Sequence, residues 1–204
     1  MSATINQLKI LKAFDDPYKK ILIVTGPAGS GKTKWICTTA VKSITNKQID
    51  KIVITRPTVS VDEDIGYIPG DINDKMSHWM VPVNDYLDDM YYYDPNKIDI
   101  CPIGFMRGRT FKNAFIIADE MQNASIEQMK MLLTRIGENS YLGITGDVEQ
   151  SDIDNNGLDN FITLFNEYKK ENKIEFLSIQ HINLTNDDIM RDDVIKDILN
   201  IYNN

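Results

Sequence analysis

Short, continuous apolar runs recur along this chain, separated by stretches with helical spacing. Ile21-Leu22-Ile23-Val24-Thr25, Lys51-Ile52-Val53-Ile54-Thr55, Ala114-Phe115-Ile116-Ile117-Ala118 and Tyr141-Leu142-Gly143-Ile144-Thr145 read as buried strands. Their unbroken apolar character is what a parallel strand covered on both faces requires. Ile98-Asp99-Ile100-Cys101 reads as a shorter strand stopped by Pro102, and Glu175-Phe176-Leu177-Ser178-Ile179 as the last one. Between them lie helical patterns. Ile5, Leu8 and Leu11, with Ile10 and Phe14, predict a helix over residues 6–14. Further helices are expected from the glycine-rich run after the first strand to about residue 46, and over 84–93 and 158–169. Ser125 and Gln128 form an S-x-x-Q capping box that opens a helix to about residue 136, closed by Gly137. Thr185 is expected to cap a final helix over 188–202. Residues 58–82 and 146–156 read as loop. Strands alternating with helices predict an α/β fold with a mostly parallel sheet, whose ligands sit at the carboxyl ends of the strands.

The chemistry-bearing residues fall at those ends. Directly after the first strand comes Gly26-Pro27-Ala28-Gly29-Ser30-Gly31-Lys32-Thr33, which fits G-x-x-x-x-G-K-[ST]. In a strand–loop–helix setting such glycines let backbone N–H groups curl around phosphate oxygens, and the helix N-terminus adds positive potential. Lys32 is expected to reach the β- and γ-phosphates and the Thr33 hydroxyl to sit on Mg²⁺. Asp119-Glu120 follows the strand 114–118. Asp119 suits the acidic group that holds the metal, and Glu120 a general base that polarises an attacking water. Gly146-Asp147-Val148-Glu149-Gln150 follows the next strand, and Gln150 is a candidate sensor of the γ-phosphate. Asp152 and Asp154 fit no calcium-loop spacing.

At 204 residues the sequence suits one domain, expected to span 1–204. The net charge of −8 removes any global attraction to nucleic acid or anionic membranes, so a nucleic-acid contact would need a local basic patch. No apolar run is long enough to span a bilayer, and the first residues show no secretory pattern. A cytoplasmic location is expected, in a host's cytoplasm if the short, Lys-, Ile-, Asn- and Asp-rich chain is viral. Cys37 and Cys101 read as buried thiols of a reducing compartment. With His78 and His181 as the remaining soft ligands, a structural zinc site is not expected.

Further blocks carry a family resemblance: Thr55-Arg56-Pro57, Gly66-Tyr67-Ile68-Pro69-Gly70-Asp71, Phe105-Met106-Arg107-Gly108-Arg109-Thr110, Asp119-Glu120-Met121-Gln122-Asn123, the run from Gln128 to Gly137, and Thr145 to Gln150. In this order they resemble the PhoH-like proteins, compact P-loop ATPases related to the first motor domain of superfamily 1 helicases. The resemblance implies a RecA-like three-layer P-loop fold that binds ATP with Mg²⁺ and hydrolyses it to ADP and phosphate. It further implies binding or remodelling of single-stranded RNA or DNA as a homo-oligomer such as a hexameric ring. Gln7 resembles the glutamine that reads adenine in the helicase relatives, and Arg56 their contact to single strands. With no second motor domain expected, a neighbouring copy would supply the arginine that steadies the transition state; Arg107 and Arg109 are the candidates, with Arg135 and Arg191 behind them. Trp79 and Tyr91-Tyr92-Tyr93 offer rings that could stack on bases, but they read more readily as packing at the core edge or at a subunit interface. Two departures are Met121, where the family has Ala, and Asp192-Asp193 after Arg191, where it has His-Pro. A different class remains open: a nucleotide-gated regulatory or assembly module with little turnover.

Overall fold

The computed structural model describes residues 3–57, 81–88, 94–172, 178–189 and 201. The elements in chain order are α1 (Ile5–Lys12), β1 (Ile21–Thr25), α2 (Lys32–Thr45), β2 (Lys51–Thr55), α3 (Val81–Asp88), β3 (Ile98–Ile100), β4 (Ala114–Ala118), α4 (Ile126–Leu133), β5 (Tyr141–Gly146), α5 (Gly157–Asn172) and β6 (Ile179–Asn183), with short 3-10 turns between them. The strands form one six-stranded sheet in the order β3-β2-β4-β5-β1-β6, and every neighbouring pair is parallel. The chain therefore crosses over after every strand, which is why helices occupy both faces.

Alternation along the strands fills two cores. Leu22, Val24, Ile54, Phe115 and Ile117 face α1, α2 and α3, where Ile10, Ile36, Cys37, Ala40, Val83 and Leu87 meet them. Ile23, Val53, Ile116, Leu142 and Ile144 face the other way, onto the 3-10 turn Ile103–Met106 and onto α4 and α5 through Met129, Leu132 and Leu158. Phe14 closes the first core with its ring edge-on to Phe115, centroids 5.2 Å apart. The result is the expected three-layer α/β fold of the P-loop type.

Several boundaries differ from the sequence reading. The Ser125–Gln128 capping box is formed, with Gln128 N–H donating to Ser125 Oγ (3.2 Å) and Ser125 N–H to Gln128 Oε1 (2.9 Å). Its helix stops at Leu133, not near 136, because Ile136 leaves to bridge Phe111 and the Gly137 N–H donates to Phe111 O at 2.7 Å. Among the described residues the last strand is Ile179–Asn183; of the expected strand 175–179, residue 179 begins it, 178 precedes it and 175–177 lie outside the described residues. As an edge strand beside β1 it carries Gln180, His181 and Asn183, so it lacks the apolar run that marks the central strands. Residues 173–177 are outside the described residues. Thr185 caps a 3-10 turn, Asn186–Asp188, where its N–H donates to Asp188 Oδ2 at 2.9 Å; Ile189 follows in extended backbone, and residues 190–200 and 202 of the expected terminal helix are outside the described residues. Among the described residues no helix is long and apolar enough to cross a membrane.

Candidate nucleotide-binding site

The loop joining β1 to α2 runs over the carboxyl end of the sheet. Its three glycines all have positive φ, and Gly26 and Gly31 show the need most directly. Gly26 has φ +142°, and a Cβ there would lie 2.5 Å from Leu184 O. Gly31 has φ +86° and turns the chain into α2. The Ser30 hydroxyl donates to Pro27 O at 2.8 Å and fixes the loop's bend. Lys32, buried, folds back so that Nζ donates to Gly26 O (2.7 Å) and Pro27 O (3.0 Å). Its charge is thus held over the hollow of the loop, beside the N-terminus of α2. That combination is suited to an anion.

Thr33, one residue on, reaches across the sheet: its hydroxyl donates to Asp119 Oδ1 at 2.7 Å. The same oxygen accepts from the Thr145 hydroxyl at 2.5 Å, and Oδ2 pairs with Arg56 Nη2 at 3.0 Å. Asp119 is 1 % exposed, so these donors replace the water it lost. Burial, and then the Asp119 charge nearby, push the Cys37 thiol up, which keeps it neutral. Glu120 differs from its neighbour. Its side chain is 42 % exposed, and its backbone sits at φ +55°, a left-handed conformation that a non-glycine residue rarely adopts. Oε1 lies 3.7 Å from Arg56 Nη2, while Oε2 accepts from Gln122 Nε2 at 2.6 Å. One carboxylate is therefore locked in place and the other is open to solvent.

The donors around Asp119 suit a hard cation. Thr33 offers a hydroxyl and Asp119 a carboxylate, the oxygen ligands Mg²⁺ takes. Among the described residues no group of three or more His, Cys, Asp or Glu could hold a metal alone. A cation here would need oxygens from a phosphate ligand and from water.

The remaining sequence candidates are distributed unevenly. Gln7 is fully buried beneath the loop, not on the surface: Nε2 donates to Ser30 O (3.1 Å) and Asp188 O (2.8 Å), and Oε1 accepts from Thr4 N–H (3.0 Å). Gln150 is exposed in the turn after β5, with its N–H on Asp147 O at 3.0 Å. Arg107 is exposed. Arg109 is held at the β3 edge, on Asp99 Oδ2 and Cys101 Sγ, both at 2.9 Å, and its guanidinium stacks on Phe111 at 4.7 Å. Strands β2, β4 and β5 lie between that edge and β1, so Arg109 does not join the loop of its own chain. Arg135 donates to Arg109 O at 3.1 Å. Arg191, Trp79, the three tyrosines 91–93, His78 and residues 66–71 are outside the described residues. Sequence reasoning assigned no role to Thr145 or Gln122 and did not see that Arg56 pairs with the acids. A polar residue ending β5 and an amide two positions past Glu120 were the available signals.

The family model described as PhoH-like protein matches residues 1–203. The chain belongs to the PhoH-like family. It is 42 % identical over 156 residues to Protein PhoH of Escherichia coli strain K12, a match covering 72 % of this chain and 44 % of the relative. To the PhoH-like protein of Bacillus subtilis strain 168 it is 38 % identical over 184 residues, covering 87 % and 56 %. The matched region thus spans about half the length of these PhoH relatives. Among solved structures, the Pif1 helicase from Candida albicans is similar with TM-score 0.47 and 17 % identity, covering 98 % of this chain and 44 % of that one. Bacteroides Pif1 bound to ssDNA gives 0.43 and 16 %, covering 98 % and 46 %.

Proposed function

We propose that this PhoH-like chain binds ATP with Mg²⁺ and hydrolyses it to ADP and phosphate. The observation that carries the reading is the Thr33–Asp119 contact at 2.7 Å. It joins the glycine loop after β1 to the acidic pair after β4, across the intervening β5. On this reading Gly26, Pro27, Ala28, Gly29, Ser30 and Gly31 form the phosphate cradle, and Lys32 turns from its carbonyls to the β- and γ-phosphates. Thr33 and Asp119 hold the metal. When bound, Mg²⁺ neutralises charge on the phosphate oxygens. Glu120, exposed enough to meet water, accepts the proton of the attacking molecule, and Gln150 contacts the γ-phosphate or that water. Arg56 neutralises the acids while no cation is present. Reading of adenine by Gln7 requires its amide to leave Ser30 and Asp188.

Turnover is coupled, we propose, to single-stranded RNA or DNA held by an oligomer, with Arg107 or Arg109 acting on a neighbour's site. Support comes from the exposure of Arg107 and from the distance of Arg109 from its own loop. The test is Mg²⁺-dependent ATP hydrolysis with and without single-stranded RNA and DNA, beside Glu120→Gln. Turnover that rises with one strand and disappears in the variant is expected. Low turnover indifferent to both strands would refute the coupling and favour the nucleotide-gated assembly module. Absence of nucleotide binding would refute the whole reading.

A further inference from the structure

Gln122 is 4 % exposed in the turn after Glu120 and uses both ends of its amide. Nε2 donates to Glu120 Oε2 at 2.6 Å, and Oε1 accepts from the Asp147 N–H at 3.1 Å. The partners fix which end is which, since a carboxylate accepts and a backbone N–H donates. Glutamate in this place would offer two acceptors and a second negative charge, and leucine would offer neither function. The space for the amide is also provided: a Cβ on Gly146 would lie 3.0 Å from Gln122 Oε1 and 3.2 Å from its N.

Around this amide the two loops are stitched together. Ser151 Oγ donates to Gln122 O at 3.0 Å. Asn123 and Asp152 pair in both directions, Nδ2 to Oδ2 and Asp152 N–H to Oδ1, each at 2.9 Å. The turn carrying Glu120 is thus tied to the turn carrying Gln150. A carboxylate that is 42 % exposed would otherwise sample several rotamers. The amide restricts it, leaving Oε1 on the side of Arg56, 3.7 Å from its Nη2.

We infer that Gln122 is a positioning residue: it sets the carboxylate of Glu120 and couples it to the turn after β5. This rests on the ATPase reading for its catalytic consequence, but the coupling itself does not. Any movement of Glu120 on nucleotide binding is transmitted through one rigid amide to the Asp147 N–H, and so to the segment 147–152.

Two measurements on the full chain test it. In the first, Gln122→Leu lowers kcat roughly 10–100-fold while KM for ATP stays within about twofold, since a displaced catalytic group slows the chemical step without removing binding contacts. An unchanged kcat, or a kcat loss matched by a rise in KM, would overturn the positioning role. In the second, amide hydrogen exchange of residues 146–152 is followed without nucleotide in Gln122→Leu and in Glu120→Ala. Faster exchange at Asp147 in both is expected, because either change releases one anchor of the amide. Unchanged exchange in Glu120→Ala would overturn the coupling, and that variant alters a half-exposed side chain whatever the fate of Gln122→Leu. If the wild-type chain hydrolyses no ATP, the ATPase reading fails and the exchange result alone decides.

Discussion

Replacing Gly143 by alanine tests how tightly the phosphate-loop helix is seated. Gly143 lies in β5 at the centre of the sheet, paired with Leu22 of β1 and Ile117 of β4. A Cβ there would come 2.8 Å from Ile36 Cγ2, 3.0 Å from Ile36 Cδ1 and 3.1 Å from Phe115 Cε1. Ile36 is a β-branched residue inside α2 with one favoured rotamer, so its Cγ2 cannot swing aside. Phe115 is fully buried and held by the Phe14 ring. Relief must come from α2 moving outward by several tenths of an ångström. Overpacking of this kind costs about 1–3 kcal/mol. The smaller conformational entropy of alanine in the unfolded chain returns about 0.4–1 kcal/mol. A net loss of about 1–2 kcal/mol is expected, which lowers Tm by roughly 2–8 °C in a chain of this size. Because Lys32 and Thr33 form the first turn of α2, the same shift strains the Thr33–Asp119 contact and weakens nucleotide binding. Urea unfolding of Gly143→Ala, Ile36→Ala and the double variant is the assay. Ile36→Ala alone opens a cavity at a cost of about 2–5 kcal/mol, and the added methyl should occupy part of it. The double variant is therefore less destabilised than the sum, by about 1 kcal/mol or more. Wild-type stability in Gly143→Ala, or simple additivity, would refute the claim that the helix is in contact at this point.

Lys32→Met should weaken ATP binding about 10–100-fold, the worth of a charge-assisted hydrogen bond, and calorimetry showing unchanged affinity would contradict the placement of its amine. Arg56→Leu leaves Asp119 buried with two hydroxyl donors and no cation; a loss of up to about 3 kcal/mol is expected by urea unfolding, and Asp119→Asn in the same chain should recover part of it. Burial holds the His181 imidazole below its ordinary value, where Nε2 lies 2.8 Å from Thr25 Oγ1 and that hydroxyl donates to Asn183 Oδ1 at 2.9 Å. A depressed folded-state value means the unfolded chain binds the proton first, so stability is full above about pH 6.5 and declines as pH falls through the folded value. His181→Gln should flatten that part of the pH profile, and a profile unchanged in the variant would assign the slope elsewhere. Gln7→Ala should destabilise the loop more than it alters the preference of ATP over GTP if the amide keeps its bonds to Ser30 and Asp188; loss of that preference with stability intact would show that the amide turns to the base.

The parts of the molecule legible in sequence were those fixed by local rules. Four strands declared themselves because a strand buried on both faces is apolar throughout, and β1, β2 and β4 fall where the pattern puts them. The Ser125 capping box was legible because its partners are three residues apart. The run of β6 past residue 179 was not legible, because an edge strand needs only one apolar face and its polar residues His181 and Asn183 serve Thr25 at the root of the loop. The end of α4 was missed because Phe111, 25 residues upstream of Ile136, captures the chain there. For the candidate site, motif spacing singled out Lys32, Thr33, Asp119 and Glu120, and the structure brings Thr33 and Asp119 into contact. Arg56 and Thr145 join them only through strand order, which no local pattern encodes. Gln7 was legible as a candidate, but its burial depends on Asp188 at the far end of the chain.

Asp119 shows why the strand order matters for function. Its three donors come from α2, the end of β5 and the end of β2, so elements remote in sequence are registered against one carboxylate. The Thr33 hydroxyl has one hydrogen and two lone pairs, and by giving the hydrogen to Asp119 it keeps the lone pairs for a cation. The Thr145 hydroxyl, buried, keeps Oδ1 solvated when Thr33 shifts. Arg56 is different, because it neutralises the same charge a cation would neutralise. Under the proposed reading, Mg²⁺ binding and the Arg56 ion pair therefore compete for one carboxylate. Arg56→Leu should bind Mn²⁺ more tightly than wild type without nucleotide, measured by electron paramagnetic resonance, even though its fold is less stable. Weaker binding in the variant would mean that Arg56 orients Asp119 for the metal and does not oppose it.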